Sequence, residues 1–200
     1  YIADTEHFRV RKSAAVGGLI PTVAGNGRQG FSGDGGAATA ASIDSPSGLA
    51  VDAAGNLYIA DTHNHRVRRV AAATGVITTI AGTGAEAFSG DDTAATAAAL
   101  ALPRGLSIDG GGNLYIADSA NHRIRRIDAV THAITTVAGD GVQGFSGDGG
   151  AAASAALDSP GAAAISPGGL ATLADTANGR VRQLDAEDAP VIHTIAGVSS

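Results

Sequence analysis

The chain has 200 residues, a formal net charge of −6 and no Cys. The missing Cys excludes disulfides and thiolate metal sites, and the negative charge argues against nucleic acid, whose binding rests on neutralising phosphates. With 44% hydrophobic and only 4% aromatic residues, a core is affordable but has to be built from Ala, Val, Ile and Leu, and the apolar runs fall well short of the roughly 18 residues of a membrane helix.

The first element is Tyr1-Ile2-Ala3-Asp4-Thr5, followed by Arg9-Val10-Arg11-Lys12 and Thr22-Val23-Ala24-Gly25. All three words return 57 residues later, as Tyr58-Ile59-Ala60-Asp61-Thr62, Arg66-Val67-Arg68-Arg69 and Thr79-Ile80-Ala81-Gly82. They return again from Tyr115, Arg123 and Thr136, and a weaker fourth set starts at Thr172, Arg180 and Thr194. The last word has slipped by one residue, which places a small insertion near Glu187 to Pro190. A fourth word, Gly-Phe-Ser-Gly-Asp-Gly-Gly, stands at 30–36 and 144–150, with Ala87-Phe88-Ser89-Gly90-Asp91-Asp92-Thr93 between them.

Repetition at a fixed period marks a stack of like units. In the second unit, strands are predicted over 48–52, 56–61, 65–70 and 76–81, each alternating or β-branched and bounded by Gly, Asn, Asp or Pro. Ala53-Ala54-Gly55-Asn56 and Thr74-Gly75 read as hairpin turns. Four antiparallel strands per unit, in series, is the plan of a β-propeller blade. The blade units are 1–25 (partial), 47–82, 104–139 and 161–197, joined by Gly/Ala-rich connectors at 26–46, 83–103 and 140–160. Within the first connector, Gly36 to Ile43 has helix-forming composition, so a short helix capped by Asp34 is expected, with Pro46 setting the next inner strand.

The words Asn-Leu-Tyr-Ile-Ala-Asp-Thr (56–62), Asn-His-Arg-Val-Arg-Arg (64–69) and Ile-Thr-Thr-Ile-Ala-Gly-Thr-Gly (77–84) resemble NHL repeats. The Phe-Ser-Gly-Asp connector with a following Ser-Pro is similar to the long-looped bacterial and teneurin-type form. The resemblance covers essentially all of the chain. It implies an all-β propeller, usually six-bladed, whose members mostly bind proteins or other ligands; a few relatives, such as the amidating lyase domain, are enzymes. Six blades at this period need about 340 residues. The chain therefore reads as a section of about four blades, the first incomplete, belonging to a larger propeller or closing with another copy.

Eleven of the 13 Lys and Arg fall in the third strand of a unit, and an Asp always stands five residues before the first Arg. A hairpin brings each such pair together: Asp4/Arg9, Asp61/Arg66, Asp118/Arg123 and Asp175/Arg180. Partly buried, these pairs fix register between blades. Phe31, Phe88 and Phe145, three of the four Phe, recur in the connectors and are expected to anchor each loop on the blade below. His65 and His122 are equivalent residues of a hairpin turn, so they do not converge as zinc ligands would. Asp34, Asp91, Asp92 and Asp148 sit in Gly-rich loops that could hold Ca²⁺, although helix capping and tight turns explain Asp-Gly-Gly more simply. Gly25 to Gly30 matches Gly-x-Gly-x-x-Gly but follows an outer strand and reads as a loop.

No catalytic, cofactor or metal residue is assigned. The expected function is a non-enzymatic binding or scaffolding module with a protein or glycan partner, or with the remaining blades, and without nucleic acid or membrane insertion. One alternative is a metal-dependent lyase or hydrolase, for which Asp44, Asp52, Asp109 and Asp158 are the carboxylates near the inner strands. Another is an architectural piece that dimerises through open blade edges, since unpaired strand edges are sticky. The Ala-rich composition and the long-looped resemblance imply a bacterial, extracellular or periplasmic protein.

Overall fold

The structure, a computed structural model, describes residues 1–13, 17–166, 169–185 and 190–197. Of the insertion expected near Glu187 to Pro190, all but Pro190 lies outside the described residues. The first sheet has three strands, β1 (Ile2–Asp4), β2 (Arg9–Arg11) and β3 (Thr22–Ala24). The second follows as β4 (Pro46–Val51), β5 (Leu57–Asp61), β6 (Arg66–Val70) and β7 (Ile77–Ala81). A two-residue strand, β8 (Thr93–Ala94), comes before the third sheet, β9 (Pro103–Ile108), β10 (Leu114–Asp118), β11 (Arg123–Ile127) and β12 (Ala133–Ala138), and pairs with its outer edge. The fourth is β13 (Ala162–Ile165), β14 (Ala171–Asp175), β15 (Arg180–Leu184) and β16 (Ile192–Ala196). Every neighbouring pair of strands is antiparallel. The chain is all-β, as four open sheets set side by side along their inner strands.

Local chemistry accounts for the hairpins. Asp52 accepts bonds from the backbone N (2.8 Å) and Nδ2 (2.7 Å) of Asn56, while Gly55, at φ +82°, closes the β4–β5 turn on the Asp52 carbonyl. Asp109 and Asn113 repeat this at the β9–β10 turn. The β5–β6 turn is a single 3-10 turn, Thr62–Asn64, ended by His65 in the left-handed conformation.

Because successive side chains of a strand face opposite ways, each sheet supplies one face to each neighbouring layer. Val10 and Ala24 of the first sheet meet Leu57, Ile59, Val70 and Ile77 of the second, with Ala38, Ala41 and Ile43 of the connector packed between them. The same layering joins the second sheet to the third and the third to the fourth, around Ala95, Ala98 and Leu100 and around Ala152, Ala155 and Leu157. The connector is therefore core. Its alanines are small enough to fit between two sheets, and each fully buried Ile or Leu of the layer contributes about 1.5–3 kcal/mol.

The helix expected over Gly36 to Ile43 is a 3-10 turn of three residues, Ala38–Ala40, between extended Ala37 and Ala41. Tertiary hydrogen bonds override the Ala helix propensity. The connector adds an edge to the next sheet through Gly35 N to the Ile77 carbonyl (2.8 Å) and Ala38 N to the Gly75 carbonyl (2.9 Å). It is tied to the preceding sheet by Gly25 N to the Ala38 carbonyl (2.9 Å). Asp34 caps nothing, and its carboxylate goes to Arg68.

Near the inner strands the sheets are clamped directly. Thr5, Thr62 and Ser119 each donate their hydroxyl to a proline carbonyl of the next sheet's entry, Pro46 (2.9 Å), Pro103 (2.8 Å) and Pro160 (2.6 Å). Gly105 N bonds the Gly161 carbonyl at 3.0 Å, and a Cβ on Gly48 would strike the Arg104 carbonyl. The approach is close enough to require glycine.

Candidate functional site

The chain's repeated polar residues gather where each connector crosses the sheet that follows it. In the second sheet, Asp61 at the end of β5 is fully buried. Its carboxylate accepts from the backbone N of Asp44 (2.7 Å), Asn64 Nδ2 (2.8 Å) and Arg68 Nη1 (3.2 Å). Arg68, also fully buried, donates from Nε (3.0 Å) and Nη2 (2.7 Å) to Asp34 Oδ1, and from Nη2 to the Ser32 carbonyl (3.1 Å). The Phe31 ring lies against the guanidinium groups of Arg66 and Arg68, with centroid distances of 4.0 and 4.7 Å. Asn64 Nδ2 also reaches the Gly30 carbonyl at 2.9 Å. Together they hold a Gly-Phe-Ser-Gly-Asp segment at four of its residues, Gly30, Phe31, Ser32 and Asp34.

The third and fourth sheets repeat this grip. Arg125 joins Asp118 (3.3 Å) to Asp91 (2.8 Å), and Arg182 joins Asp175 (3.4 Å) to Asp148 (2.7 Å). Phe88 lies against Arg123 and Arg125 at 3.6 and 4.8 Å, and Phe145 against Arg180 and Arg182 at the same distances. In the second and third sheets the first arginine of the pair clasps the connector leaving the same sheet: Arg66 Nη2 donates to the Thr83 carbonyl and Arg123 Nη2 to the Asp140 carbonyl, both at 2.6 Å. One strand thus fastens both the incoming and the outgoing connector.

The expected ion pairs shift by two residues. Asp4, Asp61, Asp118 and Asp175 stand opposite Arg9, Arg66, Arg123 and Arg180 in register. The carboxylates nevertheless meet Arg11, Arg68, Arg125 and Arg182. The diagonal belongs to the hairpin, since Asp4 meets Arg11 with no connector over the pair; the incoming Asp and Phe then set the second guanidinium between two carboxylates in the sheets that follow. Burial dominates at Asp61 and pushes its carboxyl up to about 6 against the pull of Arg68 and its other donors. The Asp118 carboxyl is raised for the same reason.

Phe31, Phe88 and Phe145 lie in the connectors as stacking partners, still about two-fifths exposed at 42%, 40% and 41%. His65 and His122 reach forward: each Nδ1 accepts the backbone N–H before the next proline, of Leu102 (3.2 Å) and Ser159 (3.1 Å). Asp34, Asp91 and Asp148 are each neutralised by an arginine, a donor set that suits a guanidinium better than Ca²⁺. Asp52 accepts from Tyr58 Oη (3.0 Å); burial alone would raise its carboxyl, but the donors on Asn56 and Tyr58 outweigh that and hold it low. Asp109 is lowered in the same way, with Asn113 and Gly111 as donors.

Asp44, Ser45 and His63 come together at the rim. Ser45 Oγ is 3.1 Å, and Asp44 Oδ1 3.5 Å, from the same imidazole nitrogen, His63 Nδ1. A Ser-His-Asp relay needs the hydroxyl and the carboxylate on opposite nitrogens, so this is a hydrogen-bonded turn. Asp158 keeps company with Ser159 and Gln143. Among the described residues no three His, Cys, Asp or Glu gather as metal ligands, and no helix is long and apolar enough to cross a membrane.

The threonine-to-proline clamps escape a reading of the sequence alone. Their signal is present, since Thr5, Thr62 and Ser119 each precede their proline by 41 residues.

The NHL repeat family model matches residues 44–70 and 100–127, the two segments that carry the inner strand, the Asp and the arginine pair. The chain belongs to the NHL-repeat family. Among curated relatives it is 31% identical over 193 residues to protein SUPPRESSOR OF QUENCHING 1 of Arabidopsis thaliana, over 92% of this chain and 18% of that protein. It is 31% identical over 144 residues to human NHL repeat-containing protein 2, over 68% of this chain and 20% of that protein. The chain thus spans about a fifth of the length of these relatives. Among solved structures, a Bacteroides thetaiotaomicron protein of unknown function superposes with a TM-score of 0.65 at 20% identity, over 84% of this chain and 40% of that one. A gluconolactonase of Xanthomonas campestris superposes with a TM-score of 0.52 at 17% identity, over 76% and 48%. At these identities the structural likeness speaks for the fold.

Proposed function

We propose that the chain is a non-enzymatic scaffold of NHL blades that holds a protein partner on the rim bearing the β5–β6 and β10–β11 turns. The observation that carries this is the contrast between what repeats and what varies. The Asp, Arg, Asn and Phe of the connector grip recur in the second, third and fourth sheets and are spent on holding one blade to the next. Equivalent rim positions differ from blade to blade. Ser45, Leu102 and Ser159 are one such set, and His63, Ala120 and Ala177 another. A surface free to vary on a fixed frame is where specificity is built.

The test is a photo-crosslinking side chain at position 63 against one at Val130, an exposed residue of the β11–β12 turn on the opposite rim. Defined protein adducts from position 63 and none from position 130 are expected; the reverse pattern contradicts the reading. The fold shared with a gluconolactonase keeps a hydrolase as the second reading. It predicts turnover of a sugar lactone that a chelator abolishes, whereas the scaffold reading predicts the buffer rate.

A further inference from the structure

A cavity of about 640 Å³ opens between the second and third sheets, on the rim opposite the β5–β6 turns. Its size is that of a small-molecule site. Ile80, Leu114 and Ile127 give it an apolar side, and Tyr58 and Arg69 a polar one. None of the arginines of the connector grip lines it.

Arg69, half-buried near the end of β6, is the unpaired charge of this cavity. Among the described residues its guanidinium forms no ion pair. Its equivalent one unit on, Arg126, is neutralised by Asp128 at 3.3 Å. In the second unit Ala71 stands where the third has Asp128, so the internal carboxylate is missing. The two carboxylates that reach the cavity are spent within their own turns. Asp52 accepts from Asn56 and from Tyr58 Oη. Asp128 accepts from the backbone N of Val130 and Thr131, from Thr131 Oγ1 and from Arg126. Tyr58 shares the corner with Asp52 and Arg69: its hydroxyl is raised by burial and then by Asp52, against the pull of Arg69.

We propose that this cavity binds a small organic acid, with the carboxylate on Arg69 and the apolar body on Ile80, Leu114 and Ile127. A planar guanidinium matches a carboxylate with two parallel hydrogen bonds, and the apolar wall beside it rewards a hydrocarbon body. The next layer supplies the contrast. Tyr115, Arg126 and Asp109 form the same corner between the third and fourth sheets, but there Arg126 is already taken by Asp128. The proposal goes beyond the scaffold reading and concerns the other rim.

The experiment is an NMR titration of the full chain with octanoate and with 4-phenylbutyrate, read at the methyls of Ile80, Leu114 and Ile127. Saturable shifts with a Kd of about 1 mM or tighter are expected. Acetate, which lacks the body, and 4-phenylbutyramide, which lacks the charge, bind at least about tenfold more weakly. Arg69→Gln weakens both acids at least about tenfold. Ala71→Asp does the same by supplying the carboxylate from within, and the third unit already carries an aspartate at that position, so the turn is kept. Arg104→Gln removes the same charge from an exposed residue outside the cavity and leaves binding unchanged. No saturable shift with either acid at millimolar concentration, equal binding of the amide, or undiminished binding in Ala71→Asp would overturn the proposal. None of these outcomes touches the rim scaffold, which the crosslinking at position 63 tests separately.

Discussion

The first and second sheets carry the same words and differ in what lies over them. In the second, Asp61 and Arg68 are 0% exposed and 3.2 Å apart. In the first, Asp4 and Arg11 are 22% and 43% exposed and 3.6 Å apart. Ile20 is exposed where Ile77 is buried. The hairpin alone sets the polar residues in register, because β1–β2 and β5–β6 pair alike. Burial comes from the connector. The unit of stability is therefore a sheet plus the loop that arrives on it, the nearest-neighbour logic of a repeat protein.

The largest effect should come from cutting the buried grip. Arg68→Ala leaves Asp61 and Asp34 without their cation and should cost about 3–5 kcal/mol, while Arg11→Ala should cost less than about 1 kcal/mol. Urea midpoints of the two variants measure the gap, and equal losses would mean that the connector adds nothing to the pair. The apolar counterpart is next. Ile77→Ala empties a packed layer at a cost of about 2–5 kcal/mol, and Ile20→Ala should fall well below it in the same assay. Smaller is Phe88→Ala, at about 1–2 kcal/mol, for a half-exposed ring against two guanidinium groups. If thermal unfolding of that variant matches the parent, the phenylalanines are not anchors.

The remaining contrast is a pH dependence. Burial sets the folded-state carboxyl of Asp61 near 6, above its ordinary 3.8. The folded form therefore binds this proton more tightly than the unfolded chain. Stability from this group is fully present below about pH 3.8 and is lost as the pH rises through about 6. Asp61→Asn cannot titrate, so the parent should gain on it between pH 7 and pH 4. A stability difference that stays level across that window would count against a buried, raised carboxyl.

Much of this was legible in the sequence. The 57-residue words, the alternating strands and the Asp-Gly and Asn turns all encode local geometry, and the four sheets follow them. The ion-pair partner differs by two residues because the second arginine reaches back diagonally across the hairpin, in the first sheet as in the second. That Asp34 takes the other side of Arg68 from 34 residues upstream is a contact that hairpin register cannot report. The helix at 36–43 failed for a related reason, since alanines there serve as thin filling between two sheets and bond to both. The Phe positions could be read, but their stacking on arginine could not, because either apolar packing or a cation suits an isolated aromatic.

The account's central claim is that an incoming connector is what buries and locks each blade. Residue-resolved hydrogen exchange on the whole chain tests it most directly. The amides of β5–β7 and β10–β12 should exchange only through opening of the whole stack, and those of β1–β3 through a local opening at least about a hundredfold more frequent. Equal protection in all four sheets would contradict the claim.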